Sequence, residues 1–185
     1  MLYDMDLREK KTKRNIKNAF ITLRAKKDLE RISIKELAEL AEISKATFYL
    51  HYRDIYDLSD CLQKEIIQNI LNSIQPDLLL TDEAKFIQEL FHAFHSQQVL
   101  MDIVFSGTQI AVLPNSIEKE LKEYIFKRMP AFKNNAEFNI MLSYKIQGGY
   151  FAYRENYKHF DLETILETTI SINNQILITE MEYLT

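Results

Sequence analysis

Between Ile43 and Leu58 the chain reads "ISKATFYLHYRDIYDL". In quick succession it offers a hydroxyl at Ser44, an ammonium at Lys45, a methyl at Ala46 and a second hydroxyl at Thr47. A phenol at Tyr49 and an imidazole at His51 follow. These groups are suited to gripping oxyanions and reading polar edges. Lys45 can reach the O6 and N7 of a guanine, or a phosphate. Ala46 lets the backbone approach closely and can touch a thymine methyl. Thr47 can donate to a phosphate oxygen. Tyr49 and His51 suit flanking phosphates, because the ring body packs while the polar tip reaches outward. Tyr52 is counted with this contacting set and is also expected at the junction with the next helix. Phe48 is expected to turn inward, with Leu37 and Phe20 as neighbours.

Such a set must be carried on a short helix presented end-on. Ser44 is a capping candidate for a helix from about Lys45 to Tyr52. Upstream, Ser33 and Glu36 have capping-box spacing and open a helix that ends near Leu40, with Ile34, Leu37 and Ala38 on its inner face. No glycine marks the turn between the two, and Glu42 occupies the tight spot. A first helix is expected from about Leu7 to Lys27. Ile16, Ala19, Phe20 and Leu23 form its buried face, and Lys10, Lys11, Lys13, Arg14 and Lys17 crowd its first half. Two short helices on a long one describe a helix-turn-helix. Asp54 can cap a fourth helix that continues through Leu58, Leu62, Ile66, Ile70 and Ile74 toward Pro76. At ~1.5 Å per residue it is ~30 Å long, enough to join a head to a body.

Composition agrees with a helical protein. The 185 residues are 46% hydrophobic and hold three glycines and three prolines, too few breakers for a many-turned β fold. With Cys61 the single cysteine, no internal disulfide can form. The opening "MLYDMDLREKKTKR" lacks the apolar run of a signal peptide, and no stretch is apolar and long enough to span a membrane. A cytoplasmic location without membrane attachment is therefore expected. Net charge is −4, but residues 1–53 carry +5 and the remainder −9. A basic head on an acidic body is the asymmetry expected when one end meets a polyanion. Beyond Pro76 the pattern stays helical, through the stripe Phe86, Ile87, Leu90, Phe91 and Phe94 to two long final helices at about 136–157 and 162–182. The chain reads as all-α, with about nine helices.

The stretch "ISIKELAELAEISKATFYLHYRDIYDLSD" resembles the DNA-binding motif of TetR-type (TetR/AcrR) transcriptional regulators. Ile43, Ser44, Phe48, Tyr49, His51, Tyr52 and Leu58 occur in the family's order. The resemblance covers about residues 9–69; the remainder, 70–185, matches only in helix count and length. It implies a three-helix helix-turn-helix head followed by a helical effector-binding and dimerisation domain. It also implies DNA contacts at Ser33, Lys45, Ala46, Thr47, Tyr49 and His51, with Lys13 and Arg14 reaching flanking phosphate or minor groove. One position departs from the pattern. The lysine that commonly opens the fourth helix in this family is replaced by Ile55, and Arg53 is the candidate to supply the missing charge.

A single head reads too few base pairs, so a homodimer on a palindromic double-stranded operator is expected. The resemblance implies a four-helix bundle built from the last two helices of each subunit. Candidate interface residues are Gly148, Gly149, Ala152, Leu162, Ile165, Leu166, Ile170 and Leu177. Gly148 and Gly149 in mid-helix each cost roughly 1 kcal/mol against alanine, which close packing would offset. Phe91, Phe94, Met101, Phe105, Tyr124, Met141 and Tyr144 are candidate lining for a small apolar or aromatic effector; the same stripe equally serves as ordinary core. His92 and His95 have i, i+3 spacing but lack a third ligand nearby, and no phosphate loop or nucleophile elbow occurs. No metal, cofactor or enzymatic activity is expected. The leading expectation is a ligand-responsive repressor; the alternative is an all-α protein-interaction module that has lost DNA binding.

Overall fold

The computed structural model describes the backbone of residues 2–183 and the side chains of 7–78 and 81–175. Regular structure among the described residues is entirely helical: α1 (Leu2–Arg24), α2 (Ile34–Leu40), α3 (Lys45–Tyr49), α4 (Ile55–Ser73), α5 (Leu78–Thr81), α6 (Glu83–Ser96), α7 (Gln98–Val104), α8 (Leu113–Arg128), α9 (Ala136–Asn156) and α10 (Leu162–Tyr183). Since α5 is a single turn, nine helices are longer than one turn, in line with the all-α reading. Short 3-10 turns occur at Leu29–Arg31, Gly107–Ala111 and Pro130–Phe132. No helix of the described residues is long and apolar enough to cross a membrane.

Contacts group the chain into two compact units, residues 1–66 with 97–113 and residues 67–96 with 114–185. The first unit ends within α4 at residue 66 and takes in α7 and the 3-10 turn after it. Its core follows from the helical pattern. Ile16 and Phe20 of α1, Leu37 of α2, Phe48 of α3 and Leu58 of α4 are fully buried. Each contributes on the order of 1.5–3 kcal/mol of burial, which is why one face of every helix had to be apolar. The α2 helix packs on α1 and α3 on α2, while α7 packs on α1. Ion pairs brace the set: Lys17 of α1 with Glu65 of α4, and Lys27 with Glu36 of α2 at 2.6 Å.

In the second unit, Ile67, Ile70 and Leu71 of α4, Ile74 just after it, Phe86 and Ile87 of α6, Ile117, Leu121 and Ile125 of α8, Leu142 of α9 and Ile165 and Leu166 of α10 are buried. Ile165 and Leu166 are therefore core of their own chain. This corrects their expected place on a subunit interface: the apolar stripe of α10 is used up in part against α6 and α9. Gly149 is buried beside Phe91 of α6 and Thr169 of α10, the nearer of which lies 3.7 Å from where a Cβ would stand. The expected close packing at this glycine thus occurs within one chain. Leu162 and Ile170 are half-buried, and the side chain of Leu177 lies outside the described residues.

Polar clamps join helices of this unit. Lys145 of α9 reaches Glu83 of α6 at 3.0 Å. The Glu118 carboxylate of α8 accepts from Ser143 Oγ (2.6 Å) and Gln147 Nε2 (2.7 Å) of α9, and pairs with Lys122 Nζ at 2.9 Å. Partial burial alone would raise its pKa, but these donors outweigh burial and pull it down to about 2. A carboxyl with a depressed folded-state pKa stabilises the fold above its unfolded pKa and loses that contribution as pH falls toward the folded value. Stability should therefore fall as pH is lowered from about 4.5 to about 2, and Glu118→Gln should flatten the profile in that window. Urea melts at stepped pH check this; parallel profiles for the two proteins would contradict it.

Candidate nucleic-acid interface

The local sequence explains how α3 is presented. Ser44 stands in extended conformation before the helix, and its Oγ accepts from the Thr47 amide at 3.0 Å and hydrogen-bonds Thr47 Oγ1 at 2.8 Å. The helix is shorter than the predicted 45–52. It ends at Tyr49, where the amides of His51 and Tyr52 both turn back to the Phe48 carbonyl. The turn before it is made without glycine. Glu42 adopts φ +56°, in the left-handed region, and the Ile43 amide reaches back to the Ala38 carbonyl at 3.0 Å. A residue with a Cβ is held there at a cost of roughly 1–2 kcal/mol. Ala38 and Ala41, buried just before it, hold the turn to that path.

This frame sorts the side chains of the motif. Phe48 is fully buried, as expected. Lys45 and Ala46 are exposed, Tyr49 is 57% exposed, and Thr47 and His51 are half-buried. The leading turn of α3 thus offers an ammonium, a methyl and a phenol to the outside. Ser33 is exposed at the start of α2 and accepts from the Glu36 amide at 3.2 Å. Only this half of the capping box forms, because the Glu36 carboxylate is turned to Lys27. Arg14 is exposed, whereas Lys13 is half-buried and paired with Glu9 at 2.7 Å.

Three expectations change. Tyr52 is not a contact residue: it is buried 5.8 Å from the Phe48 ring, and burial pushes its hydroxyl pKa up to about 12. Ile55, at the position where a lysine was missed, is buried at the start of α4. Arg53 is exposed, but its guanidinium is already bound to Asp57, with Nη2 to Oδ1 at 2.9 Å and its own amide to Oδ2 at 2.9 Å. The hydrogen bond to Asp57 raises the Arg53 pKa, so the charge persists but is shared. One residue was passed over: Leu50 is 81% exposed. Its signal was its spacing, four residues after Ala46 and so on the same outward face. Lys35, exposed in the first turn of α2, follows Ser33 by two residues and extends the same basic rim.

The candidate effector lining is divided between the two units. Met101 and Phe105 are buried residues of the first unit, whereas Phe91, Phe94, Tyr124, Met141 and Tyr144 belong to the second. Tyr144 is 66% exposed, and Phe91, Phe94 and Met141 are half-buried. Tyr124 is buried against Phe86, with Arg128 over its ring at 3.5 Å. Its hydroxyl has no hydrogen-bond partner among the described residues. On α9, Ile140, Tyr144 and Phe151 are exposed, and Gly148 has open space where a Cβ would go. Their spacing puts all four on one helix face. Ala152 beside them is half-buried. Among the described residues no group of three or more histidine, cysteine or acidic side chains could hold a metal ion.

The chain matches no model of a known protein family, and no curated protein matches it.

Glu42→Gly should relieve the left-handed strain and stabilise the protein by about 1 kcal/mol, raising the melting temperature by about 2–4 °C. Glu42→Val should lower it. Equal melting of all three proteins in thermal denaturation would contradict the strained turn.

Proposed function

We propose that the protein is a sequence-specific DNA-binding transcriptional regulator of the TetR type, acting as a homodimeric, ligand-responsive repressor on a palindromic operator. One observation carries this reading. A short, serine-capped helix is anchored from behind by Phe48 and turns Lys45, Ala46 and Tyr49 to the outside. A helix so presented enters a major groove with its first turn leading. Lys45 then meets base edges or a phosphate, Ala46 and Leu50 meet thymine methyls or sugar, and Tyr49 and His51 meet the flanking backbone. Ser33, Lys35 and Arg14 add phosphate contacts around it.

A matched pair of such helices must stand ~34–36 Å apart to read adjacent grooves. The exposed face Ile140, Tyr144, Gly148 and Phe151 of α9, with exposed Ile172 of α10, is the apolar surface left for a second copy. This replaces the buried Ile165 and Leu166 in the expected interface. The effector part of the reading is supported by the unmatched Tyr124 hydroxyl, which suits an apolar ligand bearing a hydrogen-bond acceptor. The helix α4 supplies residues to both units. A ligand that prefers one arrangement of the body would shift the population of head spacings through it.

The interaction-module alternative draws on the start of α4, where Ile55 is buried and Arg53 is committed to Asp57. Selection of a bound duplex from a random-sequence pool, followed by gel shift across salt concentrations, separates the two. Lys45→Ala should weaken the selected duplex by about 1–3 kcal/mol, and Tyr49→Phe should lower the salt slope little while weakening all sequences alike. A pool that enriches no sequence, with no shift even at low salt, would favour the interaction module.

A further inference from the structure

A cleft in the first unit plays no part in the helix-turn-helix. It has a volume of about 530 Å³ and is lined by Arg24, Lys26, Lys27, Asp28, Arg31 and Ser106. Four cations face one carboxylate there, and no ring or aliphatic residue takes part in the lining. Its wall is built around Arg24, which is only 3% exposed. Arg24 Nη1 donates to the Lys27 carbonyl at 2.8 Å. Nη2 donates to the Ser106 carbonyl at 3.0 Å and to Ser106 Oγ at 2.6 Å. Its Nε is buried and has no acceptor among the described residues. Burial lowers the Arg24 pKa, and the charges of Asp28 and Glu30 only oppose that fall.

The nearby acids are largely occupied. Glu36 holds Lys27, and Glu30 accepts from Thr108 Oγ1 at 2.8 Å. The Asp28 carboxylate lies against Gly107, 3.0 Å from where a Cβ would stand at that left-handed position. Lys26 and Arg31 stand exposed at the rim. The result is a concave basic surface over a buried guanidinium whose charge and hydrogen bonds are incompletely matched. A recess lined mostly by one sign of charge focuses such a field on a bound anion.

We propose that this cleft is an anion site that binds a small polyanion of the diphosphate class, either free or carried on a small molecule. Guanidinium and ammonium groups on several sides match the oxygens of two linked phosphoryl groups. The volume lies within the range of small-ligand pockets, about 300–1,000 Å³, and exceeds what one phosphoryl group fills. Without a ring in the lining there is nothing to stack a base, so recognition falls on the phosphates. A duplex backbone presents the same oxyanions, but it runs along exposed ridges such as the one bearing Lys45 and Tyr49, not into a recess walled by a buried arginine.

Calorimetric titration of the full chain with inorganic pyrophosphate, in phosphate-free buffer at low and high salt, tests the site without any DNA. Its outcome is therefore separate from that of duplex binding. The expected result is saturable binding of one pyrophosphate per chain, weaker at high salt. The double variant Lys26→Ala/Arg31→Ala, which alters two exposed side chains and should melt like the parent, should bind at least about tenfold more weakly. Lys45→Ala should titrate as the parent does. Heat that does not saturate, or unchanged affinity in the double variant, would overturn the proposal. So would loss of binding in Lys45→Ala, which would move the oxyanion to the duplex-facing ridge.

Discussion

The complete burial of Phe48 is the constraint on which the arrangement of α1, α2 and α3 depends. A five-residue helix cannot be stable by itself, because nucleating a turn costs more than so few hydrogen bonds return. The α3 helix exists because one large ring is locked behind it and a serine caps its start. Once Phe48 points inward, the 3.6-residue period settles the outward set: Lys45, Ala46, Tyr49 and Leu50. The exposed surface of α3 is thus the back of a packing decision. The same decision takes in Tyr52, whose ring is needed beside Phe48 and so is lost to the outside.

Much of this was legible in the chain. Helix positions in the first unit followed from i, i+3, i+4 spacing and from Ser33 and Ser44, because capping and amphipathic burial are local effects. What failed was whatever depends on partners far away in sequence. The carboxylate of Glu36 had two possible donors, its own helix start or Lys27, and only the fold chooses between them. Arg53 looked free because Asp57 is attractive only once α4 has brought it within reach. The unit boundary was equally opaque: α7 follows α6 in sequence but packs on α1, and nothing in its apolar pattern says which neighbour it prefers. Ile165 and Leu166 read as an interface because an apolar stripe looks the same whether it meets its own chain or another.

Charge is distributed along the same division. The basic residues of the first 53 positions crowd the first half of α1, with others in the recess beside Arg24 and, as Lys35 and Lys45, on α2 and α3. Some of the body's acids are held in clamps such as Glu118 with Ser143, Gln147 and Lys122. Those clamps, with the buried aromatic and aliphatic faces of α6 and α8, leave α9 with an open apolar face on which Gly148 lets another backbone come close. A basic head and the unfilled face of α9 are the parts that the proposed dimer would use.

The central claim is that the first turn of α3 meets duplex DNA. Hydrogen–deuterium exchange of the chain with and without a duplex that it binds reports this directly, peptide by peptide. The account predicts added protection concentrated over 43–51, around 33–35 and around Arg14, with little change in the remainder of α1. Protection that appears only in the body, or none across 43–51 while the duplex is bound, would contradict it.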